Sequence, residues 1–226
     1  MTAEDKEREI ALEARTAENA RLFSPSAARN RDAIRDVFLK HMPKSGRIVE
    51  VGSGTGEHAV HLGAAAPSLA FLPGDPDASS RASIAAWAAH YGLKNVAPPH
   101  AVDVALPDWQ SDFAPCDGVL SINMIHIAPF DAARGLIAGA GVLLKPAGRL
   151  FLYGPFARNG AHTAPSNEAF DQSLKSRNPL WGVRDLDREI APLATAAVLK
   201  LVAIEAMPAN NFSVIFEKRR ITGRDG

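Results

Sequence analysis

Glu50-Val51-Gly52-Ser53-Gly54-Thr55-Gly56 sets three alternating glycines directly behind the apolar run 48–51. Glycine loses more conformational freedom on folding than any other residue, so this density needs a reason. Backbone without Cβ atoms lets a ligand come close and lets a following helix pack tightly, although a bare strand-to-helix turn uses glycine too. Two acids bear on the choice. Asp75 closes the next apolar segment about 20 residues on, where a carboxylate can accept hydrogen bonds from ribose hydroxyls. Asp103 follows the segment after that, where an acid either faces an adenine amino group or caps a turn. Glycines and two acids at three successive strand ends describe an adenosine-containing cofactor lying across a sheet edge. Phosphate cradling is disfavoured. Glu57 stands where the dinucleotide fingerprint G-x-G-x-x-G needs its last glycine, and Gly56-Glu57-His58 lacks the lysine of a P-loop.

These groups need a scaffold. Residues 47–51, 69–73, 95–102, 117–122 and 148–153 read as strands. Helices are expected over 56–65, 78–91 and 130–144, the second with Ile84, Trp87, Ala88 and Tyr91 on one face. This alternation predicts a doubly wound parallel sheet with helices on both faces. Residues 197–206 and 211–217 read as two further strands. The connection between them is too short for a parallel crossover, so they form an antiparallel hairpin. Ser24 before Pro25 marks a helix start, with Ile34, Val37, Phe38 and His41 on one face. Residues 1–23 are charged and helix-permissive, with a thin stripe at Ile10, Ala14 and Ala17. They read as a helical extension, either a packing helix or a lid, ahead of a single domain over 24–226.

The 226 residues are 46% hydrophobic, enough for one large core. Lys+Arg and Asp+Glu are 25 each, and no basic stripe suggests a nucleic-acid surface. The single cysteine, Cys116, allows no internal disulfide. No apolar run approaches the ~20 residues that span a bilayer, and residues 4–9 are too charged for a signal-peptide core. A soluble, cytoplasmic protein is expected.

E-x-G-x-G-x-G at 50–56 resembles motif I of the class I S-adenosylmethionine-dependent methyltransferases, whose seven-stranded, Rossmann-like sheet ends in an antiparallel hairpin. The blocks FSPSAARNRDAI, VGSGTGEHAV, PGDPDASSRASI, SINMIHIAPF, LLKPAGRLFLYGPF, TAPSNEAFDQSL, WGVRDL and MPANNFS resemble those of the DUF938, or methyltransferase-like 26, group over residues 23–217. The resemblance implies S-adenosyl-L-methionine as cofactor. Gly52, Ser53 and Gly54 would contact its methionine portion, Asp75 the ribose, and Asp103 with Val104 the adenine. Asn123 and Met124 would lie near the sulfonium. Glu50 would organise the loop, and Arg29 would either meet the methionine carboxylate or stay solvated.

Methyl transfer from a sulfonium is an in-line displacement that asks mainly for alignment and exclusion of water. A base is needed only for a protonated nucleophile. His126, just past the fourth strand, either accepts that proton or orients the acceptor, or is a turn histidine bonded to backbone. Asn30, Tyr153, Asn167, Phe170, Asp171, Trp181, Arg184 and Asn211 are the acceptor-binding candidates. Each could instead be packing or turn-locking. Arg184, for example, could pair with Asp185 or Asp187. No histidine or cysteine spacing suggests a metal. The expected partner is a small polar or aromatic acceptor, with neither nucleic acid nor membrane; the oligomeric state, a homodimer included, stays open. The alternatives are a noncatalytic cofactor-binding or interaction module, and a nicotinamide-dependent oxidoreductase, which Glu57 and the terminal hairpin disfavour.

Overall fold

The computed structural model describes residues 15–220. Six strands form the main sheet: β3 (Gly46–Val51), β4 (Leu69–Gly74), β5 (Cys116–Ile122), β6 (Leu144–Gly154), β7 (Leu199–Met207) and β8 (Asn211–Lys218). Their order is β4-β3-β5-β6-β8-β7. The first four run parallel, and β8 pairs antiparallel with both β6 and β7. The helices are α1 (Pro25–His41), α2 (Glu57–Ala65), α3 (Ala78–His90), α4 (Phe130–Leu143), α5 (Pro165–Arg177) and the short α6 (Ala191–Ala196). This is a Rossmann-like α/β arrangement with a terminal antiparallel hairpin.

Side chains alternate along each strand, so one strand feeds two cores. Val49 and Val51 of β3 join Val119, Leu136, Ile137 and Leu150 on the α4 side. Ile48 joins Ile34, Phe38, Leu62, Phe71 and Phe151 on the α1 and α2 side. Phe38 lies 5.9 Å from Phe71 and 6.1 Å from Phe151, fixing α1 across the sheet centre. Ser24 caps α1 as its Oγ accepts from the Ala27 N–H at 3.4 Å, with Pro25 in the first turn. Asp77 caps α3 by accepting from the Ser80 N–H at 2.6 Å.

The expected seventh strand, 95–102, is reduced to two isolated bridges, Phe71 with Val96 and Gly74 with His100. The backbone still follows β4: Ala97 N–H donates to Phe71 O and His100 N–H to Pro73 O. Between them Pro98 and Pro99 carry no N–H, and neither does Pro73 opposite, so the ladder cannot continue.

The helical reading of the N-terminal stretch falls partly on residues 1–14, outside those described. Beyond them the stretch is not helical. β1 (Thr16–Glu18) and β2 (Arg21–Phe23) form an antiparallel hairpin, with Glu18 opposite Arg21. Asn19 (φ 49°) and Ala20 (φ 65°) make the left-handed two-residue turn that matches strand twist. The hairpin sits on α3. Leu22 N–H donates to Ser83 Oγ at 2.8 Å, Trp87 Nε1–H donates to Leu22 O at 2.9 Å, and the Arg21 guanidinium lies 4.9 Å from the Trp87 ring centre.

Candidate active site

The three glycines of the loop do three different jobs. All are left-handed, at φ 67°, 57° and 86°. A Cβ on Gly56 would come within 2.7 Å of the Ile84 Cα, so glycine here lets α2 start against α3. A Cβ on Gly52 would meet Met124 Cγ at 2.6 Å, so glycine here admits the chain leaving β5. Among the described residues beyond its chain neighbours, a Cβ on Gly54 would meet only Arg15 Nη2, at 3.7 Å; its face is open. Ser53 pins the turn to β4, its N–H donating to Gly74 O at 3.1 Å and its hydroxyl accepting from the Gly74 N–H at 3.2 Å.

Asp75 meets this loop directly. Its carboxylate accepts from Gly54 N–H at 2.9 Å and from Asp77 N–H at 3.0 Å. Burial raises the carboxyl pKa, opposed by those two backbone donors. The open face of Gly54 borders a cleft of about 680 Å³, its solvent mouth included, lined by Arg15, Glu50, Gly52, Ser53, His58 and Asn123 among others. Asn123 ends β5 in a left-handed turn (φ 62°) and heads the one-turn 3-10 segment Met124–His126. Glu50 is buried to 2% exposure, and its Oε2 has no hydrogen-bond partner among the described residues. Burial pushes its carboxyl up to about 8; the Ser53 hydroxyl opposes this and the Asp75 charge adds to it. His58 is held through Nε2 by Asn30 Oδ1 at 2.8 Å. Burial, with the nearby His61 and Arg31 charges, holds its pKa down to about 4.

Other expected site residues are not among those that line this cleft. Asp103 is exposed and accepts from Ala105 N–H at 2.9 Å, a turn bond, at the same sheet edge. Val104 is buried, and its carbonyl occupies the space a Cβ on Gly135 would need. Arg29 is exposed on α1 and does not line the cleft.

His126 does not project over the cleft as expected. It is fully buried, with Nδ1 accepting from Arg184 N–H at 3.2 Å and the ring edge-on to Phe156. Burial and the Arg184 charge hold its pKa down to about 3, so it stays neutral. Arg184 is likewise internal. It donates to the carbonyls of Ile125, Ala128 and Leu180 and does not pair with Asp185 or Asp187. Asp171 accepts from Val183 N–H at 2.8 Å and from Lys175 at 2.6 Å. Asn167 donates to Thr163 Oγ1 and Asn210 O, and Asn211 donates to Pro208 O within the final turn. Ser166 does not cap α5, which starts after Ala164; its hydroxyl accepts from Asn210 Nδ2. Trp181 and Tyr153 are buried, the Tyr153 hydroxyl bonded to Asn30, and Phe170 is half-buried. Together these residues fasten segment 155–190 onto the sheet behind Asn123.

Sequence reasoning missed Arg15, His58 and Glu57. Glu57 Oε2 accepts from Ser24 N–H at 2.7 Å and Thr55 Oγ1 at 3.0 Å, tying the start of α1 to the loop. The acid that breaks the dinucleotide fingerprint was the available signal for Glu57. Arg15 carried none, because a short hairpin brings it in from outside the repeating pattern.

The shifted groups set a pH optimum for stability. His58 and His126 stay neutral in the fold down to about 4 and about 3, against 6.5 ordinarily. Below 6.5 the unfolded chain therefore binds protons the fold refuses, and stability falls with pH. Glu50 keeps its proton in the fold up to about 8, against 4.5 ordinarily, so stability falls as pH rises through that window. His61, also lowered by burial, adds to these two, so three histidines outweigh one carboxyl below 6.5, and above it the Glu50 carboxyl opposes stability. The melting temperature is expected to peak near the ordinary histidine pKa, roughly 6.5, with an alkaline limb of at most about 1.4 kcal/mol per pH unit. Glu50→Gln should flatten the alkaline limb in a melting series from about pH 5 to 8.5, the window set by these pKa values. An unchanged limb would remove Glu50 as its source.

The family described as a protein of unknown function, DUF938, matches residues 21–218. Among solved structures, an O-methyltransferase family 2 protein from Planctomyces limnophilus DSM 3776, in complex with apigenin, is 20% identical with a TM-score of 0.73, covering 96% of this chain and 62% of that one. An O-methyltransferase family protein from Burkholderia thailandensis is 16% identical with a TM-score of 0.67, covering 85% of this chain and 60% of that one. CalO1, a methyltransferase in calicheamicin biosynthesis, in its SAH-bound form, is 18% identical with a TM-score of 0.62, covering 84% of this chain and 53% of that one. The chain thus spans 53–62% of the length of these structures, and the likeness is one of fold.

Proposed function

The chain belongs to the DUF938 family, and we propose that it transfers a methyl group from S-adenosylmethionine to a small polar or aromatic molecule. The sequence blocks quoted above support placing it in the methyltransferase-like 26 group. The observation that carries the reading is the meeting of the open Gly54 backbone, held from behind by Asp75, with Asn123 around one cleft at the carboxyl ends of parallel strands. S-adenosylmethionine supplies an electrophilic methyl group on a good leaving group. What remains for the protein is to align the acceptor and exclude water. Gly52, Ser53 and Gly54 form the floor, Asp75 offers its remaining lone pairs to ribose hydroxyls, and Asp103 with Val104 borders the adenine side. Asn123 and Met124 stand at the sulfonium end. His126 supports this end by holding the turn after Asn123; its buried ring favours that part over a proton acceptor.

One observation favours the second reading, a noncatalytic cofactor-binding module. The side chains proposed for the acceptor, Asn167, Asp171, Arg184 and Asn211, all spend hydrogen bonds on the fold itself. Turnover of the methyl donor against a metabolite pool separates the two.

Calorimetry tests the shared premise. S-adenosylmethionine and its demethylated product should bind in the micromolar range, about −8 kcal/mol at 1 μM. NAD should give no heat. Asp75→Ala should weaken binding by about 1–3 kcal/mol through unpaired ribose hydroxyls. Heat with NAD and none with S-adenosylmethionine would sink the assignment.

A further inference from the structure

The cleft holds a cation that the glycine loop does not account for. Arg15 stands immediately before β1 and lines the cleft beside Glu50. Its Nη2 is the one heavy atom among the described residues within 4 Å of where a Gly54 Cβ would sit. No hydrogen bond or ion pair joins its guanidinium to another described residue, and it bears electrostatically on Asp75. Glu50 lines the same cleft with Oε2 buried and unpartnered. A guanidinium and an unpartnered carboxyl in one cleft complement the two polar ends of an α-amino acid.

The hairpin behind Arg15 is fastened to the loop it faces. Ser83 on α3 accepts from Leu22 N–H at 2.8 Å and donates to Thr55 O at 2.6 Å. One hydroxyl therefore spans β2 and the glycine loop. Trp87 Nε1–H adds its bond to Leu22 O, and Arg21 packs over the Trp87 ring.

We propose that Arg15 is a ligand-recognising residue of this cleft, taking the carboxylate of the bound ligand's amino-acid end, and that the hairpin anchored through Ser83 holds it there. The inference rests on the S-adenosylmethionine reading and adds to it a residue outside the parallel sheet. It makes the site choose ligands that carry an α-amino-acid group over the same thioether nucleoside without one.

The test compares S-adenosylhomocysteine with 5′-methylthioadenosine, which keeps the nucleoside and sulfur but lacks the amino acid. Calorimetry uses the full chain and its Arg15→Ala and Arg15→Lys variants, each checked by its melting temperature. Arg15→Ala should weaken S-adenosylhomocysteine about 10–100-fold, as expected for lost charge-assisted bonds, and change 5′-methylthioadenosine by less than about twofold. Arg15→Lys should recover part of the loss. Equal weakening of both ligands, or of neither, overturns the proposal while leaving the cofactor assignment intact. Wild-type protein that takes up neither ligand overturns the cofactor assignment and this proposal with it.

Discussion

Gly54→Val is expected to leave the protein folded and abolish S-adenosylmethionine binding, whereas Gly56→Val is expected not to fold. Both positions are left-handed, at φ 57° and 86°, and both lie in one loop. A side chain at Gly54 costs about 1–2 kcal/mol for its backbone conformation, somewhat more when β-branched, against a typical total stability of about 5–15 kcal/mol. Among the described residues beyond its chain neighbours, only the end of a flexible arginine stands in its way, so the fold absorbs it. The new methyl groups then occupy the open side of the cleft floor. Binding should weaken by more than about 100-fold, the equivalent of about 2.7 kcal/mol. At Gly56 the new Cβ meets the Ile84 backbone at 2.7 Å, which cannot rotate away, so α2 and α3 must separate. Circular dichroism with calorimetry checks the pair. A Gly54→Val protein that binds normally would place the cofactor elsewhere.

Arg184→Ala is expected to destabilise the protein by about 2–4 kcal/mol, since a buried carbonyl left without its donor costs about 1–3 kcal/mol and the part-buried ones less. The guanidinium donates to Ile125 O at 2.9 Å, Ala128 O at 2.7 Å and Leu180 O at 2.9 Å, and it lies 5.3 Å from the Phe130 ring centre. Truncation leaves the buried Ile125 carbonyl and the part-buried Ala128 and Leu180 carbonyls without this donor. Arg184→Lys should recover only part, because an ammonium cannot reproduce the planar fork that reaches several acceptors at once. The midpoint of thermal unfolding should drop by on the order of 10 °C for Arg184→Ala. An unchanged midpoint would show that Arg184 is free to serve a ligand, the role its type first suggested.

The cofactor end of the site was more legible in the sequence than the acceptor end. Gly52, Gly54, Asp75 and Asn123 lie at strand ends, and strand ends follow from the alternation of apolar runs with helical segments. The residues after the fifth strand share the vocabulary of an acceptor site, but the same side chains fasten a long insertion. Asn167, Asp171 and Arg184 cannot be sorted by type, because a carbonyl of the fold and an atom of a ligand accept the same hydrogen bond. The strand expected over 95–102 fails for a local reason: its apolar pattern runs through Pro98 and Pro99, which remove the donors a ladder needs. The β1–β2 hairpin has three-residue strands, too short for alternation to show, and its place on α3 depends on Ser83 and Trp87, some 60 residues away. Arg29 lies in a recognisable helix, whereas the arginine that lines the cleft, Arg15, stands just before that hairpin.

The interrupted segment beside β4 also bears on how copies of this protein avoid one another. An open sheet edge is a template on which another chain can add a strand, the first step toward aggregation. Here Pro98 and Pro99 cover the β4 edge with two consecutive residues that offer an incoming strand no donor. The opposite edge, β7, carries Lys200 and an extra residue at Val202, where its register with β8 shifts between Leu201 and Ala203. A bulge and a lysine both discourage strand addition. Both borders of the sheet are therefore guarded against growth from molecule to molecule, by missing donors on one side and by a kink and a charge on the other.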